Sequence, residues 1–158
     1  MEKQISNHAA AAKEIRQYLK AKGIKGRVRA KTYSMGSSVD VWVQEDINPA
    51  LAEEIRLHCG QHQYGHFDGM IDLYEMSNCR DDIPQVKHVF VHVDYSNDLK
   101  QRVWDYIRKV YAEMDEAPAD YHECGEFYSN HWHAWGSTLV HRLLEDRNDV
   151  VWNGGLNV

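Results

Sequence analysis

The chain opens with a helical period. Between Asn7 and Ala21, Ala11, Ile15, Tyr18 and Leu19 fall on one face, with Ser6 or Asn7 as N-cap and Gly23 as terminator, which predicts a helix with a lysine-rich outer surface. Past Gly23 and Gly26 the period drops to two. Val28, Ala30 and Thr32 point one way and Arg27, Arg29 and Lys31 the other, the pattern of a strand with one cationic face. Tyr33-Ser-Met-Gly-Ser-Ser38 is turn-forming, and Val39, Val41 and Val43 then alternate with Asp40, Trp42 and Gln44, completing a predicted hairpin.

Asn48-Pro49 starts a second helix, because asparagine caps free N–H groups and proline at the first helical position loses no hydrogen bond; Leu51, Ile55 and His58 or Cys59 face inward and Gly60 ends it. A polar and aromatic stretch, 61–69, leads into a predicted strand from Met70 to Met76. Ser77 to Pro84 reads as a loop, since Asn78, Arg80-Asp81-Asp82 and Pro84 disfavour a central strand. From Val86 to Val93, Val89, Val91 and Val93 alternate with His88, Phe90 and His92, a strand with both faces at least partly covered. A third helix starts at Ser96 or Asn97, carries Leu99, Val103, Tyr106, Ile107, Val110 and Met114 on one side, and ends before Pro118. Residues 119–132 show no clear period. A fourth helix, His133 to Asp146, turns Leu139, Leu143 and Leu144 inward; Val150, Val151 and Trp152 can dock beyond it, and Gly154-Gly155 suggests a loose tail. Helix-strand-strand twice, followed by two helices, predicts the α+β class: an antiparallel sheet of about four strands packed by three to four helices, in one domain over 1–158.

Charge changes this picture. Residues 1–31 hold nine Lys/Arg against Glu2 and Glu14, whereas the other 127 residues hold nine basic and 22 acidic side chains, so the formal net charge of -6 hides a cationic end joined to an anionic body. Such asymmetry directs attention to polyanionic or basic partners. No run approaches the roughly 18 apolar residues of a membrane span, and no apolar block follows Met1-Glu-Lys-Gln, so a cytoplasmic protein without a membrane partner is expected. Cys59, Cys79 and Cys124 are odd in number and lack a C-x-x-C pair, as expected of reduced thiols.

Candidate chemistry is sparse. His58, Cys59, His62 and His66 fall within nine residues, and His122, Cys124, His131 and His133 form a second group, but Gly60 interrupts the first and neither matches a zinc-hydrolase or deaminase spacing. No esterase elbow, phosphate loop or dinucleotide fingerprint is present, and no catalytic residue, metal ligand or cofactor is assigned. Asp68, Asp72 and Glu75 fit a solvated strand face equally well. The cationic strand is the stronger lead. Arg27, Arg29 and Lys31 project in a row about 6.5 Å apart, close to the spacing of successive phosphates, and Tyr33 adds a stacking surface. The same pattern also serves an edge strand that discourages sheet-to-sheet aggregation.

Several segments together, Ala11-Ala12-Lys-Glu-Ile-Arg, Arg27-Val-Arg-Ala-Lys-Thr-Tyr-Ser-Met-Gly-Ser-Ser-Val, Gln63-Tyr-Gly-His-Phe-Asp-Gly-Met, Tyr74-Glu-Met-Ser-Asn and Pro84-Gln-Val-Lys-His-Val-Phe-Val, resemble the large polyvalent protein associated domain family, type 29, of phage and plasmid proteins. The resemblance covers about 9–115, leaves 116–158 as a C-terminal helical extension, and transfers no residue roles. It implies an origin on a mobile genetic element and action in the host cell. With the missing catalytic motifs and the anionic body, it leads to the expectation of a non-catalytic inhibitor of a host defence protein or nuclease complex, of anti-CRISPR or antirestriction type, acting by protein–protein binding. A nucleic-acid-binding accessory protein is the alternative, and a His/Cys metal-dependent enzyme a further one. The candidate binding residues are Arg27, Arg29, Lys31 and Tyr33, with Tyr64, His66 and Asp68 from the family-like segment; the tryptophans offer apolar material for a homodimer.

Overall fold

The computed structural model describes residues 6–76, 78–110, 116–130, 132–146 and 151–153. Ser77, Met114, His131, Val150, Gly154 and Gly155, named above, lie outside them. The chain divides into two compact units, one of residues 1–45 and 52–94, the other of 46–51 and 95–158. The boundary at 94/95 falls inside the segment that carries the family resemblance.

In the first unit, α1 (Asn7–Ala21) turns Ala11, Ala12, Ile15 and Leu19 inward, all nearly or wholly buried, and packs across β1 (Gly26–Tyr33) and β2 (Gly36–Val43). The valines Val39, Val41 and Val43 are completely buried, and each such side chain contributes about 1.5–3 kcal/mol relative to exposure. β1 and β2 form the expected antiparallel hairpin, with Val28 opposite Val41 and Ala30 opposite Val39. α2 (Pro49–Gly60) begins at the expected cap, where Leu51 N–H donates to Asn48 Oδ1 at 2.8 Å. From Ala52 onward it belongs to the first unit and lies beside α1: His58 stacks on Tyr18 with centroids 3.6 Å apart, and Lys22 Nζ meets Glu54 Oε1 at 2.5 Å.

The α+β class holds, but the sheet differs from the one expected. The main sheet has three strands in the order β1-β2-β5, with β5 (His88–Val93) running parallel to β2, so it is mixed and not antiparallel. The expected strand from Met70 to Met76 shrinks to β4 (Leu73–Glu75), which pairs with β3 (His66–Asp68) in a separate two-stranded hairpin. The physical reason is local punctuation. Gly65 at φ 70° and Asp72 at φ 51° let 66–75 fold back on itself, so the chain reaches β5 only after a long crossover, the connection that parallel neighbours require. Both faces of β5 are partly covered: His88 is half-buried and His92 stacks on Trp42, while Phe90 is 46% exposed.

In the second unit, α3 (Asn97–Val110) is capped by Ser96, whose Oγ accepts from Leu99 N–H and donates to Asp46. Its buried face is Leu99, Val103, Trp104 and Ile107, whereas Val110 is exposed; Trp104 donates to the Pro118 carbonyl at 2.7 Å. The region 119–132 contains a 3₁₀ segment, Tyr121–Glu126, and β6 (Tyr128–Ser129), which pairs with β7 (Ala134–Trp135) before α4 (Gly136–Glu145). Leu139, Val140 and Leu144 of α4 are buried, Val151 is also buried, and Trp152 donates to the Leu144 carbonyl.

A candidate nucleic-acid face on the open side of the sheet

The register of the three strands decides which side chains meet, because directly paired residues project from the same side of a sheet. One side carries the valines packed on α1. The other carries three rows: Arg27, Trp42 and His92; Arg29, Asp40 and Phe90; Lys31, Ser38 and His88. Tyr33 ends the β1 column and is 47% exposed. Arg27, Arg29 and Lys31 are all exposed, so the cationic row expected from alternation stands in solvent, now with aromatic rings beside it.

Within the first row, the Arg27 guanidinium lies 4.6 Å from the Trp42 ring centroid and the His92 ring stacks on the other neighbour side, centroids 5.8 Å apart. Trp42 is half-buried by this arrangement. His88 and Phe90 stack along β5 at 5.8 Å. Lys31 Nζ is 5.9 Å from the Trp42 ring and 2.9 Å from Asp40 Oδ2. Asp40 is the buried anion of the face; its Oδ2 makes no well-aligned hydrogen bond, so its contact with Lys31 is one of charge. Ser38 beside it is buried as well.

β1 is an edge strand. Arg16 Nη2 reaches over from α1 and donates to the Val28 carbonyl at 2.9 Å, occupying an edge acceptor that another strand would need. Arg16 therefore blocks the edge, while Arg27 and Arg29 face outward.

Tyr64, His66 and Asp68 belong to a different place. Tyr64 N–H donates to the Val86 carbonyl, and its own carbonyl accepts from Tyr74 Oη; His66 pairs with Glu75 at 3.3 Å on the β3–β4 hairpin; Asp68 accepts from Met70 N–H in the turn. They are not brought onto the sheet face with Arg27, Arg29, Lys31 and Tyr33. Sequence reasoning missed Trp42 and Phe90 as members of the site. Their alternation with valines was visible, but only the β2–β5 register aligns Trp42 with His92 and Asp40 with Phe90.

The histidine and cysteine groups stay apart. Among the described residues no group of three or more His, Cys, Asp or Glu side chains is placed to hold a metal ion. His58 is stacked on Tyr18, and burial, ahead of repulsion from His62 and Lys22, holds its pKa below the ordinary 6.5. His62 Nδ1 donates to the Pro84 carbonyl at 2.8 Å. Burial pushes the Cys59 thiol up to about 12 and, with the Asp120 charge, Cys124 up to about 11, so neither is a thiolate at neutral pH.

The charge split along the sequence is not a split between units. The first unit holds twelve basic and twelve acidic residues, and the whole excess of -6 belongs to the second, which holds six basic and twelve acidic. Among the described residues no helix is long and apolar enough to cross a membrane. No family model, curated protein or solved structure matches the chain.

Proposed function

We propose that the protein binds single-stranded nucleic acid on the open face of its three-stranded sheet, as an accessory factor of a mobile genetic element. The observation that carries this reading is the alignment of the exposed Arg27, Arg29 and Lys31 with the exposed rings of Phe90 and Tyr33 on one side of the sheet, where half-buried Trp42 packs under Arg27. Cations spaced along a strand follow a phosphate backbone, and flat exposed rings accept unstacked bases. A duplex keeps the faces of its bases inside its own stack, so it engages only the cations. The family-like segments support the mobile-element setting.

Fluorescence anisotropy with labelled single-stranded oligonucleotides at low salt tests the reading. Binding should vanish in the Arg27→Ala/Arg29→Ala/Lys31→Ala variant, and Phe90→Ala should cost about 1–3 kcal/mol for single strands alone. Absence of any binding to DNA or RNA at low salt rejects it.

A second reading, a non-catalytic inhibitor seated on a basic surface of a host defence or nuclease complex, draws on the exposed carboxylates Glu116, Asp120, Glu123 and Glu126 of the acidic unit. It requires a stoichiometric complex that weakens when these carboxylates are reversed; inhibition at sharply substoichiometric dose excludes it.

A further inference from the structure

The β3–β4 hairpin exposes more apolar side chain than a short solvated hairpin needs. Phe67 is 60% exposed, Met70 93%, Ile71 57%, Leu73 57% and Met76 51%, all within ten residues. A cluster of this kind marks an interaction site. The hairpin is also acidic: Asp68 and Glu75 lie on one of its faces with Leu73 and with His66, which contacts Glu75, and Asp72 sits in the turn.

The same unit carries a surface of opposite character. Between the end of α1 and the edge of β1 runs an open groove of about 480 Å³, with Leu19, Ile24 and Val28 as its floor, Arg16, Lys20 and Lys25 on its rim, and one carboxylate, Glu45, whose Oε1 accepts from the Lys25 backbone N–H at 2.8 Å. Leu19, Ile24 and Val28 are almost wholly buried, so the floor is the outer edge of the packed core and is held rigid by it. Among the described residues neither the Lys20 nor the Lys25 ammonium group has an ion-pair partner. An apolar tip with three carboxylates thus faces a groove whose rim is net cationic, three basic side chains against Glu45.

We infer that the protein self-associates by inserting the Met70-Ile71 tip of one copy into the α1–β1 groove of a second. The occupant is a second copy because the surface of opposite net charge is on this chain. Tip and groove are different patches, so each contact is heterologous: two copies close on one another when both tips engage, and otherwise the contact propagates. The inference is independent of nucleic-acid binding, which uses the opposite side of β1.

Sedimentation velocity over a concentration series tests it. The wild-type chain should show reversible association above its 18.4 kDa monomer mass. Lys20→Glu/Lys25→Glu in the groove, or Asp68→Lys/Glu75→Lys on the hairpin, should each weaken association about tenfold or more, the scale of reversing two rim charge pairs. Mixing the two variants should restore association, because the reversed groove then meets the reversed hairpin, and circular dichroism confirms that each is folded. Met70→Ser/Ile71→Ser, which leaves the Asp68 turn bond in place, should also give a monomer. A wild-type chain that stays monomeric, association that survives both charge variants, or folded variants that fail to recombine would each overturn the proposal.

Discussion

Replacing Asp40 by asparagine should tighten the nucleic-acid binding proposed above. The Asp40 carboxylate is 11% exposed and sits 2.9 Å from Lys31 Nζ, so it neutralises one of the three cations on the open face. At that distance Coulomb's law with an effective dielectric of 20 gives roughly 6 kcal/mol, but the Lys31 side chain is 54% exposed and solvent screens the pair, which brings its contribution to stability to about 1 kcal/mol or less. Asparagine has nearly the same shape, so the fold should survive with little change. The binding effect is larger. Two free cations give a salt slope near -1.4 for a single strand, at about 0.7 per phosphate, and releasing Lys31 brings it to about -2.1. If affinities converge near about 1 M salt, the variant binds about eightfold more tightly at about 50 mM. Anisotropy titrations at a series of salt concentrations measure both quantities. An unchanged slope, or weaker binding by a folded variant, refutes the assignment of Lys31 and its neighbours to the phosphate path.

Other outcomes follow from the same geometry. Because His58 has its pKa lowered by burial, the unfolded chain takes up a proton before the folded one as pH falls through its ordinary 6.5; stability is full above that pH, declines below it and levels once folded His58 protonates too. His58→Gln should flatten that part of a Tm-against-pH profile, and an unaltered profile counts against the account. In the native protein one thiol, the exposed Cys79, should react promptly with a disulfide reagent near neutral pH, and all three should react in denaturant. Gly65→Ala should cost about 1–3 kcal/mol in urea unfolding, since the position has φ 70° and a Cβ there would clash with the Tyr74 ring. Ile15→Ala, at a wholly buried position between α1 and the sheet, should cost about 2–5 kcal/mol.

Local order was legible in the chain alone. The α1 span, the basic alternation of β1, the turn to β2 and the Asn48-Pro49 start of α2 all depend on periods and caps that act within a few residues, and each appears where the pattern places it. Alternation also determined that Arg27, Arg29 and Lys31 would share a face, since a strand turns successive side chains to opposite sides whatever its neighbours are. Pairing between distant segments was not legible. His66–Asp68 closes on Leu73–Glu75 because Gly65 and Asp72 adopt positive φ, and β5 then joins β2 in parallel. That long-range register puts Trp42 and Phe90 beside the cations and buries Asp40 under Lys31, because contacts between residues tens of positions apart are set by packing the valine face on α1 and by no local signal.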